Sequence, residues 1–300
     1  MPELPEVETI RRHLAPAVEG RVLEALEVLD ERWSRPLAGD EIAAACAGRR
    51  VEALRRRGKY LVWEFEDDVH LMLHLRMTGT LLLDPPARPP HARVRFAFSD
   101  GPVVWFDDPR RFGTGELALG TPARDDFFAR RLGVEPLGPD FTSAHLYALA
   151  RLSRAPIKAF LLDQTKVAGV GNIYADEALF RARIHPLRLA QRLTRAQCAA
   201  LRDGVIASLE AGIAAKGASI DDFRHPDGVQ GSFQDRFLIH RREGEPCPVC
   251  GRPVRKLRAA GRGTYVCEGC QPRPRARRAS GQAAARRSVS RPARSAAASS

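Results

Sequence analysis

The chain has 300 residues and a mass of 33.1 kDa, with 44% apolar and 28% charged residues, which excludes a wholly disordered protein and allows two or three small domains. No apolar run reaches the roughly 18 residues of a membrane-spanning helix, and the acidic start MPELPEVETI lacks the basic and apolar parts of a secretory signal, so we expect a cytoplasmic protein. Lysine and arginine outnumber aspartate and glutamate by 48 to 36, and the net charge of +12 indicates a polyanionic partner, either nucleic acid or an anionic membrane surface.

The predicted elements change character along the chain. Residues 3–19 place apolar side chains at helical spacing from Val7 to Val18. Residues 22–119 contain short apolar runs separated by turn residues, including YLVWEF, HLMLHL and VRFAF, which is typical of a β-sandwich or barrel. After Leu132 the pattern becomes helical, with segments such as LYALARL and IYADEALF and a long one over residues 194–215.

These changes predict an α+β protein in four parts: a β domain over residues 1–133, a helical domain over 134–233, a cysteine-bearing segment over 234–271 and a basic tail over 272–300. The tail contains eight arginines and no acidic residue, and its proline, serine and alanine content predicts disorder. Such a tail either follows DNA phosphates or is a solubilising extension without a binding role.

The second residue of the chain is a proline, which permits removal of Met1 and would leave Pro2 with a free secondary amine. An α-amino group has a reference pKa of about 7.7 to 8.0, against about 10.4 for lysine, so far more of it is unprotonated at neutral pH. A secondary amine can condense with an aldehyde in Schiff-base catalysis, and the adjacent Glu3 is a candidate general acid. Many proteins begin with Met-Pro, so the pattern taken alone favours a proline that merely starts a helix.

Three turns in the β region carry basic, aromatic or sulfur-containing side chains. The loop DDPRRFG joins Arg110 and Arg111 to Phe112, and such a loop either inserts into a base stack or forms a salt-bridged β-turn. Lys59 in RRRGKYL and Met77 in HLRMTGT would by default be a strand-edge charge and a core methionine.

A glycine-rich turn precedes the predicted helix IYADEALF. Gly169 and Gly171 allow a tight backbone path, and Asn172 lies near the start of the helix, where amide donors and the helix dipole favour a phosphate. Two helices joined by this turn are similar to a helix-turn-helix that holds DNA by its backbone. Arg154 and Lys158, four apart on the preceding predicted helix, either add phosphate contacts from one face or form a solvated face.

Four cysteines follow the pattern C-x2-C-x16-C-x2-C, namely Cys247, Cys250, Cys267 and Cys270. Four thiolates complete a tetrahedral zinc site and leave no open position, so the pattern predicts a structural zinc ion; a redox dithiol would not need two matched pairs. Basic residues between the pairs, among them Arg262 in GRGTYVC, indicate a hairpin that contacts phosphates or else a solvated surface. Cys46 and Cys198 are expected to be ordinary buried residues.

Four of these segments together resemble the bacterial formamidopyrimidine-DNA glycosylases: PELPEVETIRRHL at the start, DPRRFG, GVGNIYADEALF and the four-cysteine ribbon. The likeness covers residues 1 to about 271. It implies an α+β fold in which a β-sandwich with a terminal helix is joined to a helix-two-turns-helix domain and a C-terminal zinc ribbon. It also implies a bifunctional glycosylase and AP lyase of base-excision repair, acting on double-stranded DNA that contains oxidised purines or abasic sites. Such an enzyme is expected to be a monomer with one structural zinc ion and no membrane contact, and to associate with the bacterial nucleoid through DNA.

The resemblance assigns roles to the residues at the predicted catalytic centre. Pro2 would attack the sugar C1′ of a flipped nucleotide, and Glu3, supported by Glu6, would assist base loss and opening of the sugar ring. Lys59 would contact phosphate and assist β-elimination, while Arg262 would aid δ-elimination and hold the phosphates of the flipped nucleotide.

Other roles concern the DNA around the lesion. Met77, Arg110 and Phe112 would fill the hole left by the everted base, with Arg110 facing the orphaned cytosine. The positions that would bind the DNA backbone are His91, Lys158 and Asn172, to which the helical spacing adds Arg154.

Two features bear on the substrate. Related enzymes of the endonuclease VIII type prefer oxidised pyrimidines and usually start Pro-Glu-Gly-Pro, whereas Leu4 follows Glu3 here, so we favour the purine-lesion branch. His240 and Arg241 occupy positions where many members of the family have Tyr-Gly, and the segment GASIDDF over residues 217–223 is expected to form the loop over the extruded base.

The alternative, from another functional class, is a non-catalytic DNA- or RNA-binding protein that keeps the scaffold and the ribbon. Binding alone does not require an N-terminal group that can form an imine, so the presence of Pro2, Glu3, Lys59 and Arg262 favours the enzyme.

Overall fold

The computed structural model describes residues 2–219 and 231–274. The helices are α1 (Leu4–Val18), α2 (Gly39–Cys46), α3 (Thr121–Ala129), α4 (Ser143–Arg151), α5 (Ile157–Leu162), α6 (Asn172–Arg181) and α7 (Arg195–Ala214). The strands are β1 (Leu23–Val28), β2 (Val51–Arg57), β3 (Tyr60–Phe65), β4 (Val69–His74), β5 (Thr80–Leu83), β6 (Ala92–Phe98), β7 (Val103–Asp107), β8 (Thr114–Leu119), β9 (Arg255–Ala259) and β10 (Arg262–Val266).

The strands of the N-terminal region form two antiparallel sheets, with strand orders β1-β6-β7-β5 and β2-β3-β4-β8. Their facing apolar side chains form one core; Trp63 of β3, for example, stacks on Phe96 of β6 with ring centroids 5.1 Å apart. The opposite face of the second sheet is covered by α3, whose Phe127 and Phe128 pack against Tyr60. The β-sandwich predicted from the short apolar runs is therefore confirmed.

Helix α1 belongs to two cores at once. Val7, Ile10 and Leu14 lie on one helical stripe and pack into the sandwich core, as their spacing predicted. Leu4, at the start of the same helix, packs into the core of the helical region. The N-terminus of the chain is thus held at the junction between the sandwich and the helices.

A short helix interrupts the region that the sequence pattern described as continuously β. Helix α2 buries Ile42 and Cys46 against the sandwich core, and Asp40 and Glu41 lie in its first turn. Alanine is the strongest helix former, and acidic residues in a first turn interact favourably with the helix dipole, so this alanine-rich segment is helical. The β interpretation was wrong here because an eight-residue helix shows little periodicity.

Helices α4 to α7 form the second core, and a small ribbon built on the β9–β10 hairpin packs against the end of α6 through Phe180 and Ile239. Together with the sandwich, these parts confirm the predicted α+β architecture. Across the described ranges, no helix is long and apolar enough to cross a membrane. The predicted disordered tail falls almost entirely on residues 275–300, and most of the loop expected over the extruded base falls on residues 220–223; both lie outside the described residues.

Candidate active site

A cleft of about 480 Å³ opens where the sandwich, the helices and the ribbon meet. Its walls include five of the residues predicted to act in catalysis or DNA binding, namely Glu3, Lys59, Met77, Asn172 and Arg262. Tertiary folding therefore collects one side chain from the chain start, two from the sandwich, one from the start of α6 and one from the ribbon. Pro2, next to Glu3, is buried at the same place.

Glu3 is held by the first turn of α6. It is 2% exposed, its Oε1 accepts a hydrogen bond from the backbone N–H of Ile173 at 3.0 Å, and its Oε2 accepts one from that of Tyr174 at 3.4 Å. The N-terminus of a helix favours negative charge, so this position stabilises the carboxylate. We expected these amides to bind a phosphate, and that interpretation was wrong because the protein's own Glu3 occupies them.

The glycines of the GVGN turn are explained by the same contact. A Cβ added to Gly171 would lie 2.2 Å from Cδ of Glu3, so any larger residue would displace the carboxylate. Gly169 has a φ of +83°, and a Cβ there would lie 2.6 Å from Leu4. The two glycines therefore allow Glu3 and Leu4 to pack against this turn.

Glu6 fixes the backbone at Glu3. Its Oε2 accepts a hydrogen bond from the N–H of Glu3 at 2.8 Å, and its Oε1 accepts from the hydroxyl of Tyr174 at 2.7 Å and from the N–H of Ala218 at 2.8 Å. Burial raises the pKa of Glu6, and the negative charge of Glu3 adds to this effect. The resemblance implied Glu6 as a support, but its partners Tyr174 and Ala218 could not be foreseen.

Lys59 lies in the turn between β2 and β3 and is 5% exposed, so it is not the exposed strand-edge charge of the default interpretation. Burial lowers the pKa of its ammonium, and the positive charge of Arg262 acts in the same direction. The carboxylates of Glu3 and Glu6 oppose both effects. This lysine is therefore electrostatically coupled to the other charged residues of the cleft.

Met77 and Phe112 are exposed apolar side chains, at 37% and 50% of their full accessibility. The default interpretation of Met77 as a core residue is therefore wrong. The guanidinium of Arg110 lies 4.9 Å from the centroid of the Phe112 ring, a cation–π contact that holds the two side chains together. Exposed apolar groups of this size on loops are available to insert into a ligand.

Asp108 ties these two loops together. Its Oδ1 accepts a hydrogen bond from the hydroxyl of Thr78, the neighbour of Met77, at 2.5 Å, and its Oδ2 accepts from the backbone of Phe112 at 2.8 Å. The carboxylate is fully buried. Sequence reasoning missed this residue, although aspartate before a turn commonly binds backbone amides two or more residues ahead.

The two arginines of DPRRFG have different partners. Arg111 makes a bidentate ion pair with Asp30, with distances of 2.5 and 2.8 Å, so the salt-bridged turn foreseen as an alternative exists for Arg111. Among the described residues, Arg110 makes no ion pair and contacts Phe112 instead. His91 is exposed beside this loop, and its carbonyl accepts a hydrogen bond from the N–H of Asp108 at 3.0 Å.

The predicted pairing of Arg154 and Lys158 on one helix face is wrong. Helix α5 begins at Ile157, so Arg154 lies in the preceding turn, where it is exposed. Lys158 is fully buried, and its ammonium donates to Asp176 at 2.7 Å and to the hydroxyl of Thr264 at 2.8 Å. A lysine is almost never fully buried unless its charge is paired, and the sequence did not show that Asp176 would pair with it.

Two acidic residues of α6 anchor the ribbon, and sequence reasoning missed both. Asp176 also accepts a hydrogen bond from Nδ1 of His240 at 2.8 Å, and Glu177 accepts from the backbone amides of residues 238–240 at 2.9 to 3.1 Å. Asn172 contributes a further link, since its Nδ2 donates to the carbonyl of Gly263 at 3.2 Å. His240 is therefore a buried partner of α6.

The four ribbon cysteines form a structural zinc site. Their sulfur atoms all lie within 4.8 Å of one another, with Cys250 and Cys267 at 3.4 Å and Cys247 and Cys270 at 3.8 Å. Tetrahedral zinc with bonds of about 2.3 Å places its sulfur ligands about 3.8 Å apart, so the cluster fits the ion and leaves no open position for a substrate. Cys46 and Cys198, by contrast, are buried apart from this cluster, as expected.

Three family models match the chain in the order of its structural parts. The formamidopyrimidine-DNA glycosylase N-terminal domain matches residues 1–115, the formamidopyrimidine-DNA glycosylase H2TH domain matches residues 132–224, and the zinc finger found in FPG and IleRS matches residues 244–273.

Curated relatives are similar over nearly their whole length. The formamidopyrimidine-DNA glycosylase of Ruegeria pomeroyi is 42% identical over 90% of this chain and all of its own, and that of Thermus thermophilus is 43% identical over 90% of this chain and 98% of its own. Among solved structures, the MutM (Fpg) protein from Thermus thermophilus superimposes with a TM-score of 0.81 at 42% identity, covering 90% of this chain and 98% of that one. A complex of Lactococcus lactis Fpg with DNA containing an abasic site superimposes with a TM-score of 0.83 at 35% identity, covering 90% and 100% of the two chains.

Proposed function

This chain belongs to the formamidopyrimidine-DNA glycosylase family, and we propose from that membership that it removes oxidised purines from duplex DNA in base-excision repair and then cleaves the abasic site. The observation that carries the proposal is the cleft, which gathers Glu3, Lys59 and Arg262 around the start of the chain. A DNA-binding scaffold without catalysis has no need of three ionisable groups beside the buried Pro2.

Pro2 is the nucleophile in this proposal. Once Met1 is removed, the secondary amine attacks the sugar C1′ of a flipped nucleotide, the bond from C1′ to the base breaks, and the base leaves with the electron pair of that bond and a proton. The sugar ring then opens, and the nitrogen lone pair forms the iminium ion at C1′. The position of Pro2 is fixed because helix α1 packs into both cores.

Glu3 moves protons in base loss and ring opening, with Glu6 as its support. The first turn of α6 holds the carboxylate of Glu3 beside Pro2, and Glu6 holds the backbone N–H of Glu3. Because burial raises the pKa of Glu6, this residue retains a proton to higher pH than an exposed glutamate does.

The iminium ion at C1′ makes the protons on C2′ acidic, and the double bond formed by the first elimination extends this effect to the proton on C4′, so that both phosphates can be expelled. Loss of a proton from C2′ expels the 3′ phosphate in β-elimination, and loss of a second proton from C4′ expels the 5′ phosphate in δ-elimination. In the proposal, Lys59 contacts phosphate and assists the first step, while Arg262 assists the second and holds the phosphates of the flipped nucleotide. Both side chains line the cleft, as these roles require.

The exposed loops would hold the DNA open. Met77, Arg110 and Phe112 would fill the space of the everted base, and the link through Asp108 would keep their loops in one orientation. His91, Arg154 and Asn172 would bind the DNA backbone. Lys158 is proposed only for an indirect role, since its ammonium is buried in the protein.

The zinc ion, held by Cys247, Cys250, Cys267 and Cys270, stabilises the hairpin that carries Arg262 and takes no part in the chemistry. We further propose that the protein acts as a monomer in the bacterial cytoplasm and associates with the nucleoid through DNA. The division into residues 1–133, 134–233, 234–271 and 272–300 remains part of this proposal.

Borohydride trapping tests the proposed function directly. The protein is mixed with a duplex containing 8-oxoguanine opposite cytosine, and borohydride reduces any iminium ion to a stable amine. We expect a covalent adduct whose peptide map places the DNA on Pro2, and none with a matched guanine–cytosine duplex. Base loss without an adduct, or an adduct on a lysine, would contradict Pro2 as the nucleophile; binding without base loss would indicate the non-catalytic alternative.

A further inference from the structure

We propose that Thr264 is a positioning residue for Arg262, and that it fixes the arginine at the cleft through the buried ammonium of Lys158. The inference deepens the proposed function, on which it rests, because it concerns the arginine assigned to δ-elimination. Thr264 touches neither the cleft nor, in this proposal, the DNA.

The hydroxyl of Thr264 connects two groups. Its Oγ1 accepts a hydrogen bond from Nζ of Lys158 at 2.8 Å and donates one to the backbone carbonyl of Arg262 at 3.1 Å. An ammonium group can only donate, which leaves the single hydroxyl hydrogen for the carbonyl, so both contacts can exist at the same time. Thr264 itself is fully buried.

Lys158 is fixed in turn by α6. Its ammonium donates to Oδ1 of Asp176 at 2.7 Å and to the carbonyl of Gly263 at 3.3 Å. The other carboxylate oxygen of Asp176 accepts hydrogen bonds from Nδ1 of His240 at 2.8 Å and from the N–H of Tyr265 at 3.4 Å. The strand segment that follows Arg262 is thus attached to one buried ion pair through three successive residues.

Burial fixes the positions of the groups in this network. Lys158 and Asp176 have side chains with no exposed surface, and the loss of either charge would leave the other buried and unpaired, so the intact ion pair is a fixed anchor for the strand. Arg262 itself is exposed and lines the cleft, where its long side chain would otherwise sample many positions. Fixing its backbone reduces that freedom at the site where the guanidinium acts.

Thr264→Val tests the inference, because it removes the hydroxyl and keeps the branched shape, while Thr264→Ser keeps the hydroxyl and serves as the matched control. Each protein is mixed with DNA containing an abasic site, and the β- and δ-elimination products are separated by electrophoresis. We expect δ-elimination by Thr264→Val to be slower by roughly tenfold or more, since small displacements of a catalytic group have effects of this size. β-Elimination, the rate of borohydride trapping and the zinc content should match the parent protein, and Thr264→Ser should behave like the parent.

A double variant separates positioning from general damage. Arg262→Ala should abolish most δ-elimination, and adding Thr264→Val to it should have no further effect, because Thr264 acts only through Arg262. Thr264→Val with the parent ratio of products would overturn the inference, as would an equal loss of β- and δ-elimination in a folded, zinc-loaded protein. Should Thr264→Val lose its zinc, Thr264→Ala is measured with the same readouts and the same criteria. Two other results would contradict the proposed role of Arg262 rather than the role of Thr264. These are a parent protein that gives no δ-elimination product, and an Arg262→Ala variant that gives as much of this product as the parent.

Discussion

Glu3 accepts a hydrogen bond from the backbone N–H of Ile173 at 3.0 Å, although 170 residues separate them in the chain. The contact joins the proposed catalytic end of the sandwich to the first turn of α6. The carboxylate lies where a helix start most favours negative charge. The position of Pro2 therefore depends on correct docking between two regions that each have their own core.

The first prediction concerns this carboxylate. We expect Glu3→Gln to slow removal of 8-oxoguanine by roughly 10²- to 10⁴-fold, the usual contribution of a positioned acid or base, and to leave substantial cleavage of a preformed abasic site. The reason is that base loss and ring opening need proton transfer, whereas the amine can attack an open-chain aldehyde unaided. Single-turnover rates on the two substrates measure the difference, with Glu8→Gln on the same helix as control. An equal loss on both substrates in a folded protein would refute this division.

The second prediction concerns Met1. A chain that retains Met1 should bind abasic-site DNA but form no borohydride adduct, because an acylated proline nitrogen has no lone pair free to attack. A protein with an uncleavable N-terminal fusion provides this chain, and mass spectrometry of the parent and the fusion establishes which terminus is present. Full turnover by the fusion would eliminate Pro2 as the nucleophile.

The third prediction concerns zinc. Cys247→Ser should lose the ion and disorder the hairpin that carries Arg262, so δ-elimination and DNA affinity should both fall, because a closed four-thiolate site supplies folding free energy. The parent protein should remain active in excess EDTA for as long as its zinc stays bound, which metal analysis of the same samples records. Recovery of stripped protein by magnesium as well as by zinc would show that the site is not structural.

The fourth prediction uses the pKa of His74, which burial lowers to about 3, with the positive charges of Arg76 and Lys59 acting in the same direction. Below pH 6.5 the imidazole of His74 is protonated in the unfolded chain but stays neutral in the folded protein. The free energy of unfolding should therefore fall by about 1.4 kcal/mol for each pH unit below 6.5. The imidazole Nδ1 accepts a hydrogen bond from the N–H of Arg76 at 2.9 Å, which the oxygen of an asparagine can replace.

Urea unfolding at pH 7.5 and pH 5.5 measures this effect. The parent should lose about 1.4 kcal/mol more than His74→Asn between the two values, while the other histidines contribute equally to both proteins and cancel. The same loss in both proteins would mean that His74 does not carry the dependence.

The fifth prediction concerns the basic tail and rests on its amino-acid sequence alone. If about half of its eight arginines contact phosphates, deleting residues 272–300 should reduce the slope of log K against log salt by about 3 to 4. Affinity for damaged and undamaged duplexes should fall together, because backbone contacts carry no base information, and single-turnover excision at saturating enzyme should not change. Identical slopes with and without the tail would leave it as a solubilising extension.

The sequence by itself determined the features that depend on local spacing. The paired cysteines indicated a zinc ribbon because two thiolates separated by two residues converge on one ion. Helical spacing and short apolar runs between turn residues separated most of the helices from the strands. The order of four motifs identified the family, and with it Pro2, Glu3, Lys59 and Arg262 as candidates for catalysis.

Only the tertiary structure decided which charged groups meet. Lys158 looked like a residue for DNA because its helix neighbours could not reveal that Asp176 and Thr264 would surround its ammonium. The start of α6 was predicted to bind a phosphate because the sequence indicated free backbone amides there. Those amides bind Glu3, which lies 170 residues earlier in the chain. Local periodicity reports which face of an element is buried, but ion pairs between distant residues depend on how whole elements dock, and this information is absent from any short stretch of sequence.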